Sequence, residues 1–357
     1  MPSYGGSGVS NLLYNYYSNF SESGNVHFDF CAIDMPIGQP FEKKFQLLGA
    51  TTLYMPKAYW RRIPYLYRLF KQGNYDVVHS HIELANAVYL FIALLAGVKV
   101  RIAHAHMAFC AYSGIFNKIL RIILNMVSSV KLGCSQDAIA NLFGEKEIKN
   151  GIVLHNAIDI KKFSFSEDIR NRYRADYGLS KKCVIGFAGR FTYQKNVFFL
   201  LDIFESYHKR NPDSVFLMLG SGELETAFFE SVEERGLSDY IIHLGNRNDV
   251  NCFMQAMDCL LLPSRWEGLG IVLIESQTAS LPTVTCRETV PYIDTNITPY
   301  IKYCSFNDSS DKWCDAIDEI VAKPRKKTDD LIRNACYDIT VEASKMENLY
   351  LRLCCRQ

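Results

Sequence analysis

From residue 182 onward the chain alternates two hydrophobic periods. The apolar run "KCVIGFAGRF" (182–191), closed by glycine, reads as a buried strand, and "SVFLMLGSG" (214–222), "YIIHLGN" (240–246), "CLLLPS" (259–264) and "PTVTCR" (282–287) read as further strands. Between them lie segments with helical spacing at 196–210, 223–237, 249–257 and 309–322. Strands that alternate with helices predict β-α-β units and a parallel, doubly wound sheet.

The first half follows the same grammar less regularly. Strand candidates fall at 27–34, 51–55, 76–81, 100–106, 130–135 and 151–157, with helices at 8–20, 58–73, 84–96, 115–129 and 136–143. The expectation is an α/β chain of two Rossmann-like domains, residues 1–158 and 159–340. A C-terminal helix over 341–357 is expected to pack back on the first domain. Two such sheets facing each other form a cleft, and ligands of open sheets bind beyond the strands' carboxyl ends. The loops expected to carry chemistry are therefore "GRFTYQK", "GSGE" with Gly222, "RWEGLG" and "HAH".

Length and composition agree with this. The 357 residues are 48% hydrophobic and 22% charged, as in globular chains of two domains. The longest apolar run, 85–98, is short for a membrane span and contains Asn86. Twelve scattered cysteines without a C-x-x-C pair suggest reduced thiols in a cytosolic protein. Net charge is +1 but uneven: twelve Lys and Arg lie between Lys43 and Gln136 against only Asp76 and Glu83. That asymmetry points to an anionic partner of the N-terminal half. The cluster Arg325, Lys326 and Lys327 reads as a solvated loop.

Two loops hold the sharpest chemistry. Gly189-Arg190 closes a strand and Lys195 begins the next helix, so both cations can face one crevice; fork and point charge suit phosphate oxygens. In "RWEGLGIVLIESQ", Glu267 precedes a helix and Glu275 lies about two turns inside it. Gly268 and Gly270 let backbone approach a ligand, and amides from about Leu269 to Ile271 can donate to a phosphate. Glu275 is placed to take both hydroxyls of a ribose, and Glu267 those of a second sugar. The competing reading is a dipole-favouring acid beside a salt-bridged Glu275.

"GRFTYQKN" followed by "EGLGIVLIESQTASLP" resembles the retaining GT-B glycosyltransferases of family 4, also called group 1, with Glu267 and Glu275 meeting their E-x(7)-E motif. "SYGGSGVSNLLYNY", "YDVVHSH", "GCSQDAIANLFG" and "VLHNAID" are similar to capsular and exopolysaccharide members, over nearly the whole chain. The resemblance implies that Arg190 and Lys195 hold the donor diphosphate, Glu275 the ribose and Glu267 the donor sugar. It implies that the loop containing Gly6 and Gly8 approaches the diphosphate, and that His106, rather than His104, faces the sugar. It also implies a UDP- or GDP-linked sugar as donor, no cofactor and no metal, and a saccharide acceptor on a polyprenyl diphosphate at the inner face of the cell membrane. Ala157 and Ala279-Ser280 depart from the family pattern without touching this chemistry.

Other signals change the picture less. His79/His81 and His104/His106 each share a strand face, but no carboxylate is expected near the second pair, which argues against a metal. "GGSGVS" lacks the spacing of a dinucleotide loop, having Asn11 where the last glycine belongs. The basic, aromatic segment 56–72 suits an anionic membrane surface, and nothing supports nucleic acid. A sugar-nucleotide epimerase and a weak or inactive sugar-nucleotide-binding paralogue remain alternatives. Finally, only "MPSY" precedes the glycine loop, too little for an ordinary strand. The first strand of the N-terminal domain is therefore expected to be missing, leaving two unpaired strand edges, with Met1 not the start of the functional protein.

Overall fold

The computed structural model describes residues 1, 3–5, 8–20, 25–33, 38–108 and 113–355. They form two compact units, one of Met1–Ile158 with Cys336–Gln357, the other of Asp159–Ala335. The crossing back occurs after Ala335, and the helix Ile339–Cys355 packs in the first unit against the helix Gly8–Tyr17.

The second unit is a parallel six-stranded sheet of β7 (Cys183–Ala188), β8 (Ser214–Leu219), β9 (Ile241–His243), β10 (Cys259–Leu262), β11 (Thr283–Cys286) and β12 (Ile301–Cys304). Its order is β12-β11-β10-β7-β8-β9, so chain direction across the sheet reverses between β7 and β10. β8, β10 and β11 are buried at every position, which explains the apolar runs of β8 and β10; in β11 the buried Thr283 and Thr285 hydroxyls donate to the Leu281 and Leu262 carbonyls. β12 was not predicted: "IKYC" is short and carries two polar or half-exposed positions. The helix Glu167–Asp176 was also missed, being charged on most of its surface.

The first unit is α/β as expected, but its sheet is interrupted. β1 (Asp29–Ile33) pairs only with β2 (Thr51–Met55); β3 (Val77–Ser80), β4 (Val100–Ala105), β5 (Val130–Gly133) and β6 (Ile152–Val153) form a second parallel sheet. Among the described residues no strand joins β1 to β3. The N-terminal residues instead dress β1. The Met1 amino group donates to the Cys31 carbonyl at 2.9 Å. The buried Tyr4 hydroxyl bonds the Phe30 and Leu53 carbonyls and accepts from Leu53 N–H at 3.0 Å.

Two surface features of this unit bear on partners. In the helix Tyr59–Gln72 only Leu66 is buried, and Trp60, Tyr59, Ile63 and Tyr67 are exposed beside Arg61, Arg68 and Lys71. The helix Ile115–Val127 likewise exposes Ile115, Phe116, Ile119, Ile122 and Met126. No helix among the described residues is long and apolar enough to cross a membrane.

The Arg325 cluster corrects the sequence reading. Arg325 is no solvated residue: its guanidinium donates to the carbonyls of Gln255, Met257, Met254 and Ala279, at 2.6 to 3.3 Å. Burial pulls its pKa down to about 9. It ties the end of the helix Val250–Ala256 to that of Ile271–Thr278, which a run of three cations does not reveal. The eleven described cysteines are all free thiols.

Candidate functional site

The site of the second unit is built where β7 and β10 diverge, the switch point at which open sheets bind ligands. The segment after β7 and the segment after β10 are laced together. Arg265 N–H donates to the Gln194 carbonyl at 2.8 Å, Gln194 Nε2 to the Trp266 carbonyl at 2.8 Å, and Asn196 Nδ2 to the Pro263 carbonyl at 3.2 Å. The Arg265 guanidinium lies 4.3 Å from the Tyr193 ring centre. Asn196, at φ +55°, turns the chain from the cationic loop into the helix Val197–Arg210.

Within this frame Lys195 Nζ lies 2.6 Å from Glu267 Oε1, and both side chains are largely buried. Gly189 backs the lysine; a Cβ there would sit 3.5 Å from Lys195 Cε. Arg190 is exposed, and its guanidinium has no hydrogen-bond or ion-pair partner among the described residues. Gly222 is required sterically, since a Cβ would stand 2.4 Å from the Phe191 carbonyl oxygen.

Gly268 is half-buried, the Leu269 side chain enters the core, and Gly270, at φ +74°, caps the helix Ile271–Thr278 in the left-handed region. That helix is lined by buried apolar residues, yet its half-buried Glu275 makes no side-chain hydrogen bond or ion pair among the described residues. Burial raises its pKa to about 7, only partly opposed by Lys162. The salt-bridged Glu275 of the competing reading is therefore absent. Three buried polar atoms in the two loops, Thr192 Oγ1, Ser264 Oγ and Arg265 Nε, also lack partners. Sequence reasoning overlooked Thr192 and Ser264, whose residue types are common in any loop.

In the first unit, Gly8 opens the helix Gly8–Tyr17 and is exposed, whereas Gly6 lies outside the described residues. His106 follows β4, half-buried. Its backbone N–H donates to Glu83 Oε1 at 2.8 Å, so the expectation of no carboxylate near that pair is corrected. Glu83 follows β3 in sequence and reaches back across the parallel register; its own φ is +53°, an uncommon conformation for a residue with a Cβ.

The four histidines of β3, β4 and their ends form one stack. His79 Nε2 and His104 Nδ1 are 3.2 Å apart, and His81 Nδ1 and His106 Nε2 are 2.9 Å apart. Burial holds His79 down to about 3 and His106 to about 4, and His81 and His104 well below the usual range.

Comparison with known proteins follows the same division. Residues 169–336 match the family described as "Glycosyl transferases group 1". The chain is related to the group 1 glycosyltransferases. The capsular polysaccharide biosynthesis glycosyltransferase CapH of Staphylococcus aureus is 25% identical over 92% of this chain and 91% of its own. An Escherichia coli UDP-Gal:alpha-D-GlcNAc-diphosphoundecaprenol alpha-1,3-galactosyltransferase is 28% identical over 61% of this chain and 59% of its own. The fold is that of the Anabaena HepE structure in complex with UDP: TM-score 0.77 at 16% identity, covering 98% of this chain and 97% of that one. The architecture is thus GT-B, two Rossmann-like domains, as expected from the sequence.

Proposed function

We propose that this chain transfers a sugar from a nucleoside diphosphate sugar to a saccharide acceptor on a polyprenyl diphosphate, with retention at the anomeric carbon, in capsular or exopolysaccharide assembly. The observation that carries the reading is the switch-point site itself. A free Arg190, the Lys195–Glu267 pair, the Gly270-capped helix start and an unpartnered Glu275 lie on adjoining segments of one unit. Retention is taken from the family resemblance, and a lipid-linked acceptor and a UDP-linked donor from what the relatives' names say of those proteins.

The chemistry follows from charge. Breaking the bond between the anomeric carbon and the diphosphate builds negative charge on the departing oxygen. Lys195, held by Glu267, and the first amides of Ile271–Thr278 are fixed donors for it, and the exposed Arg190 supplies a further cation. Glu275 takes the ribose hydroxyls. Glu267 orients both Lys195 and a donor-sugar hydroxyl, and His106 is assigned to the donor sugar on the family resemblance alone. No carboxylate is assigned as a covalent nucleophile.

The acceptor side is the basic first unit. Arg61, Tyr65 and Arg68 line a shallow depression on the helix Tyr59–Gln72, and the exposed Trp60 and Tyr67 suit the headgroup level of an anionic membrane. We place the protein on the cytoplasmic face of that membrane. A second reading, a sugar-nucleotide-binding protein with little turnover, is favoured by the interrupted sheet of the first unit.

The deciding experiment is a thermal-shift screen of UDP- and GDP-sugars followed by release of nucleoside diphosphate, with and without a lipid-linked acceptor. Stabilisation by one sugar nucleotide and acceptor-dependent release support transfer. Binding without release on any acceptor supports the second reading, and no binding removes both.

A further inference from the structure

The histidine stack belongs to no step of that chemistry except through His106. One ring nitrogen from each of His79, His81 and His104 lies within 4.8 Å of those of the other two. Parallel pairing produces this. His79 and His81 leave β3 on one face and His104 and His106 leave β4 on the same face, with ring centres 4.1 and 4.3 Å apart along each strand. Across the strands, the His79 and His104 centres are 5.3 Å apart and those of His81 and His104 are 5.0 Å apart.

Hydrogen bonding alone leaves the cluster unexplained. His79 Nδ1 is engaged by the Tyr350 hydroxyl at 2.7 Å, which leaves Nε2 facing His104 Nδ1. Whichever ring carries the shared proton, His104 Nε2 is fully buried and has no partner among the described residues. Likewise His81 Nδ1 is engaged by His106, which leaves its Nε2.

We propose that His79, His81 and His104 form a binding site for one divalent transition-metal ion of the imidazole-preferring kind, such as Zn²⁺ or Co²⁺. Two nitrogens bound to one tetrahedral zinc, each at about 2.0–2.1 Å, stand about 3.3 Å apart, close to the His79–His104 separation of 3.2 Å. Metal-bound histidines hand their second ring nitrogen to an outer partner that fixes the ring, the role Tyr350 fills for His79 and His106 for His81. The Glu83 carboxylate, held on the His106 backbone, supplies nearby negative charge. Tyr350 lies on the C-terminal helix Ile339–Cys355, so the ion would fasten that helix to the β3–β4 pair. The site is separate from the phosphate-binding residues of the second unit and does not depend on their assignment.

The test uses untagged full-length protein, stripped with a chelator and titrated with Co²⁺ and then Zn²⁺. The expected result is one equivalent of Co²⁺ with the visible absorption of a tetrahedral nitrogen-rich site, displaced by Zn²⁺, together with a raised melting temperature. His79→Gln and His104→Gln should each loosen binding at least tenfold. Tyr350→Phe keeps the ring and the packing, and so covers the case in which a histidine variant fails to fold; it should loosen binding about tenfold, as losses of outer partners do. No Co²⁺ absorption in the native protein would overturn the site. So would binding at equal affinity in native protein and Tyr350→Phe, which would assign the ion to the other histidines, His27, His155, His208 or His243.

Discussion

Lys195 Nζ sits 2.6 Å from Glu267 Oε1, with the carboxylate almost wholly removed from solvent. The two residues come from different loops, 72 positions apart, and neither is spare. Removing the lysine alone strands a buried carboxylate, an effect of about 3 kcal/mol or more. Lys195→Ala is therefore expected to lower both stability and turnover. The double variant Lys195→Met/Glu267→Gln should regain most of the stability and none of the turnover. Chemical denaturation alongside donor-release rates checks this; a double variant as unstable as the single one would mean the pair is not what the single substitution breaks.

Arg190 should behave in the opposite way. It is exposed and unpartnered, so Arg190→Ala should leave the unfolding midpoint within about 0.5 kcal/mol of native. If it stabilises the leaving diphosphate, turnover should drop by roughly a hundredfold to a thousandfold. A rate near native, with native stability, would take Arg190 out of the site.

The contrast between these residues also marks what the sequence could carry. Strand and helix periods located β7, β8, β10 and the helix Ile271–Thr278, because buried elements in a parallel sheet impose long apolar runs. The loop after β7 and the E-x(7)-E stretch were legible because glycines and charges at strand ends have few structural uses. The partnerships were not. Nothing in spacing says that Lys195 meets Glu267, that Arg325 is buried among four carbonyls, or that Glu83 reaches the amide of His106. Each depends on tertiary register between distant segments. β12 and the helix Pro40–Leu47 escaped because they are short and partly polar.

Arg325 gives a purely structural prediction. Arg325→Met keeps much of the side-chain volume but deprives the Met254 and Ala279 carbonyls of a donor, while those of Gln255 and Met257 keep Arg170. Each buried acceptor left without a partner costs about 1–3 kcal/mol, so a total loss of about 2–4 kcal/mol is expected after relaxation. Lys326→Met, next in the chain, should cost little. Equal effects at the two positions would contradict the buried placement.

The membrane surface can be tested without disturbing the fold if the cations are chosen by their contacts. Arg62 is unsuitable: its guanidinium is held by the Pro56 and Lys57 carbonyls and by Tyr89. Arg61 and Arg68 line the depression without such ties. Each cation at an anionic surface contributes about 1 kcal/mol, so Arg61→Glu/Arg68→Glu should weaken binding to phosphatidylserine vesicles about thirtyfold or more at low salt. The difference should shrink at high salt as the Debye length falls. Equal flotation of native and variant protein would remove this helix from the proposed surface.

Glu275 yields a prediction whose sign is fixed by its environment. Its carboxyl is raised from an unfolded value of 4.5 to about 7, by burial. Below pH 4.5 it is protonated in both states and contributes no pH-dependent term. Between pH 4.5 and 7 the unfolded chain releases the proton while the folded chain keeps it, so stability falls as pH rises. Above pH 7 the folded protein holds an unpaired buried carboxylate at the full cost, about 3 kcal/mol. Glu275→Gln should therefore stabilise the protein relative to native at pH 8, by an amount that disappears near pH 4.5. Ligand binding should run the other way. Ribose hydroxyls donate best to the ionised carboxylate, so nucleoside diphosphate affinity of the native protein should rise as pH passes about 7, and that rise should be missing in Glu275→Gln. Denaturation midpoints and calorimetry at pH 5, 6, 7 and 8 measure both. A stability difference that is flat across this range would show that the carboxylate has a partner and ordinary acidity, and with it the argument that the helix holds an open acid for a sugar would fail.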